Sequence, residues 1–197
     1  RLGGVRGTHH GYTRIYKWNL GTSSWDRLGA DIDGVSNYDY SGSSVALAED
    51  GHTLAIGSKG SNLPGNDAGH TSIYNWNGSA WSKVGADITG EAAGDASGGI
   101  NNVAISNDGT IVAIGAWKND GSGDNAGHTR VFKWDGSSWN KLGSDINGET
   151  AGDQSGSVSL SANGEILAIG AWKNNGGGTD SGHARIYRWN GSDWDKT

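Results

Sequence analysis

The sequence has no cysteine, no methionine and a single proline, Pro64. Without cysteine there are no disulfides, and thiol usage gives no reading of the compartment. No apolar run reaches the length of a membrane span, which excludes insertion by a transmembrane helix. No long window carries a helical period of apolar residues. Basic residues are outnumbered, 15 Lys and Arg against 21 Asp and Glu, giving a formal charge of −6. That balance disfavours nucleic acid and anionic lipid as partners. Methionine is missing even at position 1, so the chain is expected to be a piece of a longer one, or its mature part with any signal peptide removed.

Apolar residues are also scarce, at 34%, while glycine is abundant, at 36 residues, a combination that approaches disorder. Regular spacing of aromatics and alternating runs argue instead for many short strands joined by many turns. One stretch recurs four times, most clearly as Gly127-His128-Thr129-Arg130-Val131-Phe132-Lys133-Trp134, with other copies beginning at Gly11, Gly69 and Gly182. The pairs Ile15-Tyr16, Ile73-Tyr74, Val131-Phe132 and Ile186-Tyr187 suit a pleated, half-buried surface. Asn77-Gly78, Asp135-Gly136 and Asn190-Gly191 follow, and such dipeptides predict tight type I′ hairpin turns. The flanking tryptophans, Trp18/Trp25, Trp76/Trp81, Trp134/Trp139 and Trp189/Trp194, are expected to meet across each hairpin.

The repeat has a period of roughly 55–60 residues, the scale of propeller and solenoid units. Strands are predicted over 11–18 and 24–32, then in three units: 43–48, 53–58, 69–76 and 81–88; 103–106, 110–117, 128–134 and 139–146; 158–161, 165–172, 183–189 and a start at Trp194. The second strand of each unit is almost continuously apolar, as in a strand buried on both faces. The expected fold is all-β, built of four-stranded antiparallel sheets as β-propeller blades, with a linear stack of the same sheets as the alternative. The divisions are 1–34 for a lead-in and half blade, then blades at 35–90, 91–148 and 149–197.

The order Ser-Gly, Val-Ala-Leu, Leu-Ala-Ile-Gly, Gly-His-Thr-x-Ile-Tyr resembles the FG-GAP repeat of integrin α-type propellers. Ser41-Gly42, Ser97-Gly98 and Ser155-Gly156 take the place of Phe-Gly, and Gly115-Ala116-Trp117 and Gly170-Ala171-Trp172 that of Gly-Ala-Pro. The resemblance implies a seven-bladed ring, of which this chain would supply about three and a half blades. It also implies an extracellular or cell-surface setting and an adhesive or scaffolding role. The calcium loop of that family does not carry over, because its place is taken by the short turns Asp50-Gly51, Asp108-Gly109 and Asn163-Gly164, too small to supply six or more oxygens.

Several residues invite a site. The loops between second and third strands offer oxygen ligands for calcium: Asp67, Asp120, Asp124, Asn125 and Asp180. The same residue types make loops for conformational reasons alone. Asn77-Gly78-Ser79 and Asn190-Gly191-Ser192 are N-glycosylation sequons, although Asn-Gly is also a preferred turn pair. His10, His70, His128 and His183 recur at one place in the repeat and are expected to make local hydrogen bonds rather than a metal ring. Asp95 and Asp153, with Asp39 as a degenerate copy, are expected to accept backbone N–H bonds at blade junctions. Gly152-Asp153-Gln154-Ser155-Gly156 resembles a serine-protease motif, but its recurrence in each unit argues against a nucleophile. Trp117 and Trp172, just past the second strand, are the candidates for stacking on a ligand such as a glycan.

No catalytic residues emerge. A propeller enzyme would be marked by one loop departing from the repeat with clustered acids and bases, and none stands out. The expectation is therefore a non-catalytic structural or adhesive module, contacting other chains or further blades in a cell-surface or filamentous assembly. A carbohydrate-binding propeller and a propeller-fold enzyme are the alternatives.

Overall fold

The computed structural model describes residues 10–197. The predicted lead-in, 1–10, lies outside them except for His10. Four short strands open the described chain: β1 (Tyr12–Thr13), β2 (Tyr16–Asn19), β3 (Ser24–Arg27) and β4 (Ile32–Asp33). β1 pairs with β4 and β2 with β3, which makes the half blade.

Three full sheets follow. The first holds β5 (Ser41–Leu47), β6 (Thr53–Ser58), β7 (His70–Trp76), β8 (Trp81–Lys83) and β9 (Ile88–Thr89). The second holds β10 (Val103–Ile105), β11 (Ile111–Ala116), β12 (His128–Trp134), β13 (Trp139–Lys141) and β14 (Ile146–Asn147). The third holds β15 (Ser155–Leu160), β16 (Ile166–Ala171), β17 (His183–Trp189) and β18 (Trp194–Lys196). Every strand pairing is antiparallel; in each full sheet the four main strands pair in chain order, while β9 adds to β7 and β14 to β12. This is the expected all-β architecture of four-stranded blades.

The second strand of each unit is apolar because it feeds two cores. In β11, Ile111 and Ala113 pack with Leu167 and Ile169 of the next sheet. The alternate residues Val112 and Ile114 pack with Ile73 and Ile88 of the previous one. A third core joins Leu54 and Ile56 to Ile15 and Ile32 of the half blade. Each fully buried Ile or Leu of this kind contributes about 1.5–3 kcal/mol, so face-to-face stacking of the sheets holds the molecule together. The first strands of successive sheets also lie against one another, β5 near β10 and β10 near β15, so they form the inner edge of the array.

Two local expectations are corrected. The fourth strand is not continuous: β8 and β9, like β13 and β14, are separate pieces. Between them Gly85 takes φ +73° and lies under the next sheet's tryptophans, where an added Cβ would come within 2.7 Å of Trp134. The strand breaks there to let the neighbour's indole in. The hairpin turns are not type I′ either. Trp76 pairs with Trp81, so residues 77–80 form the loop, and only Gly78 has positive φ there. Asn77 holds this loop by accepting N–H bonds from Ser79 at 3.0 Å and Ala80 at 2.9 Å. The tryptophans do meet across each hairpin, with ring centroids 5.3–5.5 Å apart.

Antiparallel order puts the loops between second and third strands at the same end as the crossovers to the next blade. The candidate site lies at that end.

Candidate functional site

The residue that leaves the second strand of each blade stands next to the inner edge. In the three full blades it is Lys59, Trp117 and Trp172. Blades converge toward their inner strands, so these equivalent positions come together. They line one cleft of about 350 Å³ with Ile100, Asn101, Asn102, Gln154 and Ser157. Trp172 is 57% exposed and Ile100 64%, so the aromatic and aliphatic walls face the opening. Lys59, in the lining, lies over the Tyr40 ring at 5.5 Å, and two lysines outside the lining stack on its tryptophans, Lys118 over Trp117 at 4.9 Å and Lys173 over Trp172 at 4.8 Å. Such cation–π contacts steady both the ring and the charge.

The floor of the cleft breaks the repeat. Between Ser97 and Val103 the chain is longer than between Ser41 and Val45 or between Ser155 and Val158. The extra segment is folded back by Asn101 at φ +60°. Asn102 pins it: its carbonyl accepts from Gly115 at 2.8 Å, and its side-chain amide, turned toward acceptors, donates to Ile100 at 2.8 Å and Gly156 at 3.1 Å. The Asn101 carbonyl accepts from Val158 of the next blade at 3.0 Å. Gln154, at φ +52°, turns its Oε1 inward, where it is buried without a hydrogen-bond donor.

Buried carboxylates hold the walls in place. Asp95 accepts from the amides of Glu91 at 3.1 Å and Ala92 at 2.9 Å and from Asn119 at 3.2 Å. Asp153 accepts from the Thr150 amide at 3.0 Å, the Thr150 hydroxyl at 2.7 Å and Asn174 at 2.9 Å. Burial pushes the Asp153 carboxyl up, but the bonds from Thr150 and Asn174 outweigh it and hold it below the ordinary carboxylate range. The backbone carbonyls of Asp95 and Asp153 also accept from the amides of Lys118 and Lys173, the residues after the two tryptophans. Asp39 accepts from Val35 and Ser36 in the same way at the first junction.

Of the residues singled out from sequence, Trp117 and Trp172 are brought into one cleft. The five oxygen-rich candidates are spread over three loops. Asp124, Asn125 and Asp180 line a second cleft of about 410 Å³ beyond Gln154, beside Lys173, while Asp67 and Asp120 do not line it. The Asp120 and Asp124 side chains accept from the Asn125 backbone and side chain at 2.7 and 2.6 Å. Among the described residues no three His, Cys, Asp or Glu side chains gather to hold a metal ion. Asn77 and Asn190 are exposed in their loops, each accepting a bond from its sequon serine hydroxyl at 2.9 Å. The histidines stay apart at blade junctions, His70 and His128 deeply buried. Ser155 is fully buried and takes a bond from Arg185 at 3.2 Å, so it is no exposed nucleophile. Sequence reading missed Lys59, Asn101, Asn102 and Gln154. The signal was available in the extra residues after Ser97, the one place where the Ser-to-Val spacing lengthens.

Sheets of this kind, stacked around an inner edge with a cleft at one end, define a β-propeller. No family model matches the chain, and no curated protein matches it in sequence. Among solved structures, it is similar to a candidate 6-phosphogluconolactonase from Bacteroides uniformis, with a TM-score of 0.63 and 10% identity over 95% of this chain and 48% of that one. It is also similar to a candidate 6-phosphogluconolactonase from Bacteroides fragilis, with a TM-score of 0.56 and 12% identity over 91% of this chain and 44% of that one. The chain thus spans about half the length of the structures it matches.

These likenesses correct the expectation of a non-catalytic adhesive module. The propellers this chain resembles carry enzyme names. The physical reason lies in the repeat. Beside the inner edge the residues at one position of the repeat, Lys59, Trp117 and Trp172, converge, and a loop that departs from the repeat completes a cleft there.

Proposed function

We propose that the chain is part of a β-propeller enzyme whose substrate is a small sugar-derived molecule, with opening of a sugar lactone as the reaction class. The observation that carries this reading is the cleft of Lys59, Trp117, Trp172 and Gln154 at the end of the inner strands. An apolar wall with a few convergent polar groups is the usual make-up of a small-molecule site. The indole faces suit the C–H face of a sugar ring, and the amides suit its hydroxyls. In the reaction, water adds to the lactone carbonyl carbon and the ring acyl C–O bond breaks. The ring oxygen takes a proton, and the new carboxylic acid releases one to solvent. Lys59 and the Asn101 amide are the donors suited to stabilise the carbonyl oxygen as charge develops on it. The solved neighbours named as 6-phosphogluconolactonases support this class, and the Ser-Gly crossovers support an FG-GAP-like reading of the repeat.

The test is proton release from glucono-δ-lactone and its 6-phosphate in weakly buffered solution. The reading expects release above the spontaneous rate, reduced at least tenfold by Lys59→Gln. Sugar binding with no acceleration of either lactone would contradict it and leave a sugar-binding propeller.

A further inference from the structure

We infer that the second cleft is a subsite for a further sugar ring, so that the site as a whole takes two linked rings rather than one; this rests on the reading of the first cleft as a sugar site. The first observation is continuity. Gln154 lines both clefts. Trp172 lines the first and Lys173 the second, and the Lys173 ammonium lies over the Trp172 ring at 4.8 Å. The clefts therefore meet along one stacked pair and one shared amide side chain. The second, at about 410 Å³, is as roomy as the first, at about 350 Å³. A ring held in the first has beside it a space of its own size.

The second observation is the chemistry of the lining. Asp124 and Asp180 present carboxylate acceptors, Lys173 an ammonium donor, and Asn125, Asn175 and Gln154 amides that do both. A cation there meets the repulsion of Lys173, and an anion that of the two carboxylates. A hydroxyl both donates and accepts, so neighbouring hydroxyls on one neutral ring use donors and acceptors set side by side. The third is preorganisation. Asp120 accepts from the Asn125 amide at 2.7 Å, and Asn175 accepts from the Asp180 amide at 2.8 Å, the equivalent bond in the next blade. The carbonyls of Asp124 and Asn125 accept from the amides of Gly152 at 2.8 Å and Gln154 at 3.1 Å, which ties this loop to the crossover into the next blade. The walls are thus held before a ligand arrives, and binding loses little by ordering them. The Asp180 carboxylate is exposed and has no hydrogen-bond or ion-pair partner among the described residues, so it is available to a ligand.

Isothermal titration calorimetry with glucose, cellobiose, maltose and calcium chloride tests this. The tighter of the two disaccharides should bind about tenfold more tightly than glucose, the gain of hydrogen bonds to charged groups in the second cleft. The double variant Asp124→Ala/Asp180→Gly removes both carboxylates, and glycine keeps the left-handed backbone of position 180, at φ +50°. It should cut that advantage to less than about threefold, since only amides and Lys173 remain to meet the second ring, and leave glucose binding unchanged. Far-UV circular dichroism establishes that the variant is folded. Equal binding of glucose and both disaccharides by the wild type would overturn the second subsite and leave the first cleft standing. A disaccharide advantage that survives in the variant would overturn its placement between Asp124 and Asp180. Calcium binding to the wild type and not to the variant would make the second cleft an ion site and overturn the inference. No binding of any of the three sugars would overturn both this inference and the reading of the first cleft.

Discussion

The Trp139 indole donates its N–H to the Val84 carbonyl of the preceding blade at 3.0 Å. Trp81 does the same to Leu28 at 3.0 Å, and Trp194 to Leu142 at 2.9 Å. The hairpin tryptophans are therefore not only cross-strand partners. They are the fasteners between blades, and each sits where the neighbour's fourth strand breaks.

Replacing Trp139 by Phe keeps most of the packing and removes the bond. Stability should fall by about 1–3 kcal/mol, the cost of leaving a buried carbonyl without its partner. Urea unfolding followed by circular dichroism measures it. A loss within error of zero would mean that packing alone joins the blades.

Gly85→Ala should be worse than Gly51→Ala. Both glycines have positive φ, +73° and +70°, so both substitutions meet the left-handed penalty of about 1–2 kcal/mol. At Gly51 nothing lies within 4 Å of the added Cβ, whereas at Gly85 it meets Trp134 at 2.7 Å. The difference between the two variants in the same unfolding assay isolates the indole contact.

The blade order was legible in the sequence because apolar pairs, Asn-Gly turns and the second strands recur at one interval. The break in the fourth strand was not, because Gly85 answers to Trp134, a residue of the next blade. The type I′ expectation failed because Asn77 uses its side chain to cap a longer loop rather than its backbone to form a tight one. For the site, Trp117 and Trp172 were legible as a repeated aromatic outside the packing pattern. Lys59 hid because it replaces the tryptophan at the same position, and Gln154 because nothing in its local sequence reveals a buried, unpartnered amide oxygen.

Asp153→Ala should free the loop that carries Trp172. It leaves the Thr150 amide and Asn174 without their acceptor, a loss of about 1–3 kcal/mol. Hydrogen exchange should quicken at residues 172–182 more than in β12. Uniform exchange changes across the chain would show that the carboxylate holds the whole fold rather than this loop.

Stability should decline on mild acidification. Burial lowers the His70 pKa, and burial followed by the Arg130 charge lowers that of His128. Above about pH 6.5, the ordinary histidine value, both are neutral in the folded and unfolded chain, and their contribution to stability is complete. Below it the unfolded chain takes up protons that the folded chain resists, so stability is lost as pH falls toward the folded-state pKa values. The depressed carboxyls of Asp87 and Asp108 extend the loss to lower pH, below their ordinary range. Melting temperature between pH 7 and 5 should fall in the wild type and fall less in His70→Gln/His128→Gln.

The measurement that tests the account most directly is the indole N–H region of a ¹⁵N spectrum during titration with glucose 6-phosphate. Ten tryptophans give ten separate reporters. The account predicts that Trp117 and Trp172 shift with saturation while the six hairpin indoles of the three full blades hold their positions. Shifts confined to the hairpin tryptophans, or no shift at all, would contradict it.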